Sequence, residues 1–461
     1  MRALRARRGF SLRASVDGLC RWLSLIAVAL VAPGLAWAQD PAPTPSPRGQ
    51  DELDFGRSSL AIGSGARALG MAGAFLARPD DATAASWNPA GLSYLRLPEV
   101  SLVGVRNTQD VRTEDLDGAL VSVDHTLGTT PDFVSVAVPV SLGSVLGAVQ
   151  LSFQRVIPFT GDRTIDEAPP KEIHGEGGFD VLALGTGFQV KRWLRGGLTV
   201  NRWMNGFTQR RERFGPRSSV QTVDFGISGV NFNAGLIVSP HETLNLGVVA
   251  KTPLQADVQL VRFRSDFPED HPELGVSNSH SSSDVQLDLP GALGFGASWR
   301  PTSPLTLSGD YTRTFWSRSR IHDYFTLPPA AEFQSAAAAP CAARPLPVGC
   351  PEVFPSLPFP NVRDDEQSDT RELRLGVEYV LILGRVKLPL RAGYIREQQY
   401  TLEQGLAPQY DGVTAGAGLV LGPVLFDAAY VHQWGKFTSE EGVNTVKLHR
   451  ALVSLIYRHG G

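Results

Sequence analysis

Long apolar runs are scarce in this chain of 461 residues, and recognisable catalytic motifs are absent. Beyond the first 38 residues, no apolar run approaches the roughly 18 residues that a membrane-spanning helix needs, which leaves a soluble protein or a β-barrel. There is no G-x-S-x-G elbow and no H-E-x-x-H motif, and the nine histidines are scattered. We therefore expect no enzymatic activity, no cofactor and no metal. A barrel hydrolase would have to draw on separate strands, with His174, His432 or Asp310.

Residues 1–38 have the pattern of a secretory signal peptide. An arginine-rich start leads into an apolar stretch, and Ala36-Trp37-Ala38 matches the small-x-small cleavage pattern. Removing this segment takes away six arginines and one aspartate, so that 37 basic and 45 acidic residues remain and the net charge is −8. A chain this acidic, with thinly spread lysine and arginine, is not expected to bind nucleic acid.

Two cysteines follow the signal peptide, Cys341 and Cys350, close together in a proline-rich stretch. In an exported protein such a pair is most simply a local disulfide, and the alternative is two free thiols in a loop. A zinc site is disfavoured because neither histidine nor a second cysteine pair lies nearby.

The rest of the chain alternates between strand-like stretches and turn signals. In "TRELRLGVEYVLIL", Leu373, Leu375 and Tyr379 share one face and Arg374 and Glu378 the other. This period-two alternation predicts strands whose charged face points into the lumen of a closed sheet. The predicted strands are 98–106, 132–141, 145–158, 178–190, 195–208, 220–239, 243–262, 283–300, 304–318, 371–383, 386–400, 411–421, 424–435 and 446–458.

The lengths of the connections indicate which kind of sheet this is. Connections after even-numbered stretches are short, such as "GR" near 384 and "GP" near 422, whereas those after odd-numbered stretches are long. Outer-membrane barrels have tight turns at one end and long loops at the other, together with an even number of strands. The sequence thus predicts an all-β fold, a multi-pass antiparallel barrel of about 14 strands in a bacterial outer membrane. It covers residues 98–461, with 319–370 as a long outside loop.

Three blocks of sequence resemble the FadL/TodX family of outer-membrane transport proteins for hydrophobic compounds. They are "GSGARALGMAGAFLARPDDATAASWNPAGLSYL", "LDLPGALGFGASWRPTSPLTLSGDYTRTFWS", and "LRLGVEYVLILGRVKLPLRAGYIREQQYT" with "GVTAGAGLVLGPVLFDAAYVHQW". The first block is shared with PorV-like barrels, which shuttle proteins in a secretion system, and this is the alternative function. The C-terminus "SLIYRHGG" departs from the terminal aromatic residue that is common in the family.

The resemblance implies uptake of a hydrophobic small molecule, such as a long-chain fatty acid or a hydrocarbon, by a monomer among outer-membrane lipids and lipopolysaccharide. The solute would enter from the outside and leave through a gap in the wall, where glycine-rich strands such as "GTGF" and "GISGV" would kink.

Candidate site residues fall into two groups. Residues 39–97 precede the first barrel strand, and the lumen is the only space such a segment could fill. Within it, Asn88, Pro89, Ala90 and Gly91 are predicted to form a fixed turn in which the Asn88 side chain bonds the backbone two residues on. This turn would hold the plug against the wall near the exit gap and shift on ligand binding; the alternative is a purely structural turn. Phe159, Phe207 and Phe315 lie near the outer ends of their strands and would line an apolar ligand path, unless they are part of the interfacial aromatic belts.

Overall fold

Fourteen antiparallel strands close into a β-barrel in the computed structural model. The structure describes residues 63–460, except for 116, 167–170, 215–216, 269–276, 323–367, 385, 399–407 and 440–441. Sequential strands pair with each other, and β1 (Glu99–Glu114) also pairs with β14 (Gly442–Arg458), from Glu99 opposite Arg458 to Glu114 opposite Val443. The predicted fold class is confirmed.

Nine strands are continuous and five consist of two segments. The continuous strands include β1 and β14, and the others are β2 (Leu120–Leu142), β4 (Lys171–Lys191), β6 (Arg217–His241), β10 (Thr370–Leu383), β11 (Val386–Gln398), β12 (Gln409–Leu421) and β13 (Val424–Ser439). The divided strands are β3 (Val145–Pro158, Gly161–Asp166), β5 (Leu194–Met204, Gly206–Arg213), β7 (Leu244–Lys251, Leu254–Pro268), β8 (Ser277–Leu289, Ala292–Thr302) and β9 (Leu305–Thr314, Arg320–His322).

Local chemistry accounts for several of the divisions. Pro158, Pro253 and Pro290 lie at or beside the breaks in β3, β7 and β8, and proline cannot donate a ladder hydrogen bond. In β5 the break falls at Asn205, whose φ of 67° is left-handed. "GTGF" and "GISGV" were expected to kink, but β4 and β6 run through them without a break.

The two faces of the wall follow the predicted alternation. Leu375 and Leu390 point outwards and are each 47% exposed, whereas their neighbours Arg374 and Arg391 point inwards and are buried. The same apolar exterior and polar interior recur around the barrel, which is how a barrel presents itself to lipid. Trp203 points inwards and is buried, so it does not belong to an interfacial aromatic belt.

The short turns lie where the sequence predicted them, and three of them contain glycines with positive φ, Gly143 at 62°, Gly384 at 64° and Gly422 at 55°. At the other end the prediction was wrong in extent. β1 continues to Glu114 and β2 begins at Leu120, so that most of the segment predicted as a loop belongs to strands. Strands that extend past lipid are solvated on their outer face and no longer need an apolar side, so the signal used to find them disappears.

In the described residues, helical structure is confined to short pieces. Two α-helices, α1 (Ala66–Gly70) and α2 (Ala84–Trp87), and a 3₁₀ helix (Pro89–Tyr94) lie between residue 63 and β1, and another 3₁₀ turn (Trp316–Arg318) divides β9. No helix in the described part of the chain is long and apolar enough to span a membrane. The predicted signal peptide (1–38), the start of the predicted plug (39–62), Cys341, Cys350 and most of the predicted loop 319–370 lie outside the described residues.

Candidate functional site

Residues 63–98, called here the N-terminal segment, contact strands on different sides of the closed wall and therefore lie across the lumen. Side chains of the wall hydrogen-bond to the backbone of the segment. Ala66 N donates to Ser454 Oγ at 2.7 Å, Ala72 N to Thr414 Oγ1 at 3.0 Å, and Phe75 N and Leu76 N to Asp310 Oδ2 at 2.6 and 2.8 Å. Ser135 Oγ donates to Ala82 O at 2.7 Å. These partners belong to β14, β12, β9 and β2. The segment is thus held all round its perimeter.

Asn88 is the most completely engaged residue of the turn. Its backbone is extended (φ −144°, ψ 109°), and its side-chain oxygen accepts from Ala90 N at 3.1 Å, as the sequence predicted. Its amide nitrogen donates to Leu76 O at 2.9 Å and reaches Leu236 O and Val248 O on β6 and β7 at 3.3 and 3.4 Å. Asn88 is wholly buried, so each of these bonds replaces water.

Glycines of the wall make room for this turn. A Cβ atom at Gly187 or Gly197 would overlap Pro89, and one at Gly235 would overlap the Asn88 side chain. These residues face inwards on β4, β5 and β6, where a side chain would otherwise fill the lumen. The inward glycines therefore bring the wall into direct backbone contact with Asn88 and Pro89.

An ion network fixes the other side of the segment. Arg67 lies 2.7 Å from Asp80 and 3.5 Å from Glu378, and Arg391 bridges Glu378 and Asp427 at 2.8 and 2.6 Å. Although burial favours the neutral form of Asp80, Arg67 and Arg78 outweigh it and lower the pKa of this carboxyl to about 2. The segment is therefore held by charges as well as by hydrogen bonds.

A cluster of aromatic and aliphatic side chains, called here the aromatic cluster, lines the lumen on the side of the segment away from the short turns. Phe159 stacks on Phe207 at 3.9 Å between ring centroids, Phe207 stacks on Phe225 at 5.2 Å, and Phe179 lies 5.3 Å from both Phe159 and Phe225. Trp203 and aliphatic residues of β6 and β7 complete the cluster. A polar barrel interior thus contains one continuous apolar wall.

The hydrogen-bond ladder between β2 and β3 is interrupted. It runs from Leu142 opposite Val145 to Phe133 opposite Gln154, and resumes only at Leu127 opposite Asp162. A register shift between Arg155 and Ile157 accompanies this interruption. Residues 128–132 therefore face 155–161 without ladder pairs, which is a local irregularity of the wall.

A cavity of about 80 Å³ reaches from the N-terminal segment to this interruption. It is lined by Leu69 and Trp87 of the segment, and by Asp132, Val156 and Ile157 at the interruption. Since Val156 and Ile157 also pack with the aromatic cluster, the cavity lies between the cluster, the segment and the interruption.

The predicted site residues are only partly brought together. Phe159 and Phe207 meet in the aromatic cluster. Phe315 lies apart, with the guanidinium carbons of Arg313 and Arg318 at 5.6 and 5.0 Å from the centroid of its ring. Asn88 and Pro89 contact β4 to β7 and not the interruption. The interruption is contacted instead by Ser64, whose hydroxyl donates a hydrogen bond to Asp132.

Sequence reasoning missed Phe179, Trp203 and Phe225. They lie on the inward phase of β4, β5 and β6, next to Phe159 and Phe207, and that phase is the signal that would have identified them. The three residues considered for a barrel hydrolase have separate partners. His174 contacts Asp162, His432 contacts His449, and Asp310 accepts hydrogen bonds from the N-terminal segment. Within the described ranges, no group of three or more His, Cys, Asp or Glu side chains could hold a metal ion.

Several solved structures are similar to this chain over most of its length. A Pseudomonas aeruginosa FadL homologue is 14% identical with a TM-score of 0.60, covering 87% of this chain and 99% of its own. The chain has the fold of the FadL- and TodX-type outer-membrane barrels. The Pseudomonas putida toluene transporter TodX gives a TM-score of 0.57 at 14% identity, covering 87% and 99% of the two chains. The Ralstonia pickettii toluene transporter TbuX, another barrel of the FadL/TodX fold, gives 0.55 at 16%, covering 86% and 98%.

The FadL/TodX fold is detected from the structure and not from overall sequence similarity. No family model matches the chain, and no curated protein matches its sequence.

Proposed function

We propose that this chain is an outer-membrane channel through which hydrophobic small molecules diffuse into the cell envelope. The observation that carries the proposal is the continuity of the aromatic cluster with the cavity at the β2–β3 interruption. An apolar solute that buries about 200 Å² against such a wall gains about 5 kcal/mol over water. Similarity to TodX and TbuX, which are toluene transporters, supports the same substrate class.

The interruption is proposed as the lateral exit. A solute leaving there passes from the lumen into the membrane without crossing the N-terminal segment, which would act as a plug beneath the cluster. The hydrogen bond from Ser64 to Asp132 connects the segment to the edge of the interruption, so that movement of the segment would displace Asp132. No chemical step is involved in this proposal.

The chain is proposed to act as a monomer surrounded by outer-membrane lipid and lipopolysaccharide, since β1 and β14 close the barrel without a partner. No observation on the described residues favours the secretion-shuttle alternative.

Toluene uptake by proteoliposomes tests the proposal. Phe207→Asp places a charge in the cluster and should reduce the uptake rate at least tenfold, because the solute must then pass a hydrated carboxylate. Phe263→Asp is the matched control, since Phe263 lies on β7 but is exposed on the outer face. Equal rates for the two variants, with both barrels folded, would refute a path through the cluster.

A further inference from the structure

A second cavity opens at the short-turn end of the barrel, on the opposite side of the N-terminal segment from the aromatic cluster. Its volume is about 660 Å³. Tyr94 and Arg78 of the segment line it, together with residues of the turns between β4 and β5 and between β6 and β7. We refer to it as the turn-end cavity.

The charge of the turn-end cavity is opposite to that of the chain. Its lining contains four arginines (Arg78, Arg192, Arg195 and Arg300) and two carboxylates (Asp80 and Glu242), so its net charge is +2 while the whole chain carries −3. Asp80 is already paired with Arg67. Among the residues described, Arg192, Arg195 and Arg300 form no ion pair with a carboxylate. An anion would therefore find guanidinium groups that are not neutralised.

Arg195 is the best-positioned of these groups. The residue is 9% exposed, its guanidinium carbon lies 4.3 Å from the centroid of the Tyr94 ring, and one terminal nitrogen donates to Ser239 Oγ at 3.1 Å. Its Nε has no hydrogen-bond partner in the described part of the chain, although it is buried. A buried guanidinium donor without an acceptor is costly, and a bound carboxylate oxygen would satisfy it.

The cavity also offers apolar surface beside the arginines. Tyr94, Trp193 and Pro240 line it, and Trp193 is 48% exposed. Aromatic and proline side chains do not contribute to binding a small hydrated ion, but they match an organic body attached to an anionic head.

We propose that the turn-end cavity binds organic carboxylates with an apolar body, with Arg195 as the residue that receives the carboxylate. The site is separate from the aromatic cluster and does not depend on the proposed channel activity. A carboxylate of this kind would occupy the end of the barrel that carries the short turns, beneath the segment that closes the lumen.

Equilibrium binding of radiolabelled octanoate to the full chain in nanodiscs tests this proposal. Arg195→Gln should weaken octanoate binding about tenfold, the loss expected for one charge-assisted hydrogen bond, and Arg195→Lys should restore part of it. Binding of 1-octanol, which has the same apolar body, should be unchanged. Arg112→Gln is the matched control, because Arg112 is an exposed arginine at the opposite end of the barrel.

Three results would overturn the proposal. Octanoate affinity unchanged in Arg195→Gln excludes the role of Arg195, and equal weakening of octanoate and octanol shows that Arg195 only shapes the cavity. Inorganic phosphate that displaces octanoate at equal concentration shows an unselective anion site. If Arg195→Gln does not fold, as judged by heat-modifiable migration, Arg300→Gln tests whether the arginines of the cavity bind octanoate. Arg300 is exposed at the rim, and its side chain donates to Glu242 O at 3.4 Å.

Discussion

Replacing Asn88 by leucine should release the N-terminal segment from the wall while leaving the barrel intact. Leucine has nearly the same volume but makes none of the hydrogen bonds of the amide. The Ala90 N–H and the Leu76 carbonyl would stay buried without their partner, at about 1–3 kcal/mol for the first and about 1 kcal/mol for the second. Leu236 and Val248 keep their ladder bonds, so the wall loses little.

A loss of about 3 kcal/mol in docking corresponds to a shift of about a hundredfold in the ratio of released to docked segment. Planar-bilayer recording measures this directly, because a released segment leaves the lumen open to ions. We expect frequent long openings in Asn88→Leu and rare ones in the parent chain. Heat-modifiable migration on gels should be the same for both.

Asn233→Leu is the matched control, since Asn233 is also a buried lumenal asparagine on β6 but its side-chain oxygen has no hydrogen-bond partner in the described residues. It should conduct as little as the parent. If Asn88→Leu assembles and conducts no more than Asn233→Leu, Asn88 does not hold the segment, and the lumen is closed by other contacts.

Three further predictions concern the segment and the outer loop. Gly197→Val should prevent docking of the segment, since the new side chain overlaps Pro89, and should raise bilayer conductance, whereas Gly196→Val, beside it on the outer face, should not. The pKa of Asp80 is lowered to about 2 from 3.8, so its ionised carboxylate contributes about 2 kcal/mol to docking. This contribution is complete above pH 4 and is lost as the pH falls towards 2. Bilayer conductance should therefore rise over that interval, and should rise less in Asp80→Asn. Cys341 and Cys350 are predicted to pair, so thiol counting on unreduced, denatured protein should find neither; two reactive thiols would contradict the pairing.

The barrel could be predicted because period-two alternation is a local property. In β10, Arg374 and Glu378 on one face and Leu375 on the other already specify which side meets lipid. The same reasoning failed for the end of β1, where Arg112 and its neighbours are solvated on one side and carry no apolar stripe.

The candidate site was less accessible from the sequence, because its parts are distant in the chain. The turn at Asn88 is local, and its bond to Ala90 was predicted correctly. The β2–β3 interruption depends on which residues oppose Asp132, and the turn-end cavity depends on Arg195 meeting Tyr94, a pair 101 positions apart in the numbering. The register between two paired strands is not specified by the sequence of either strand alone.

The contacts of the N-terminal segment also constrain the order of assembly. The segment precedes β1, yet Ala66 donates to Ser454 on β14, the last strand of the barrel. Since this bond joins the first and last parts of the chain to be made, docking of the segment can be completed only once β14 is in place. A chain without the segment would close its seam over an unfilled lumen, and its rate of membrane insertion would report on this step in biogenesis.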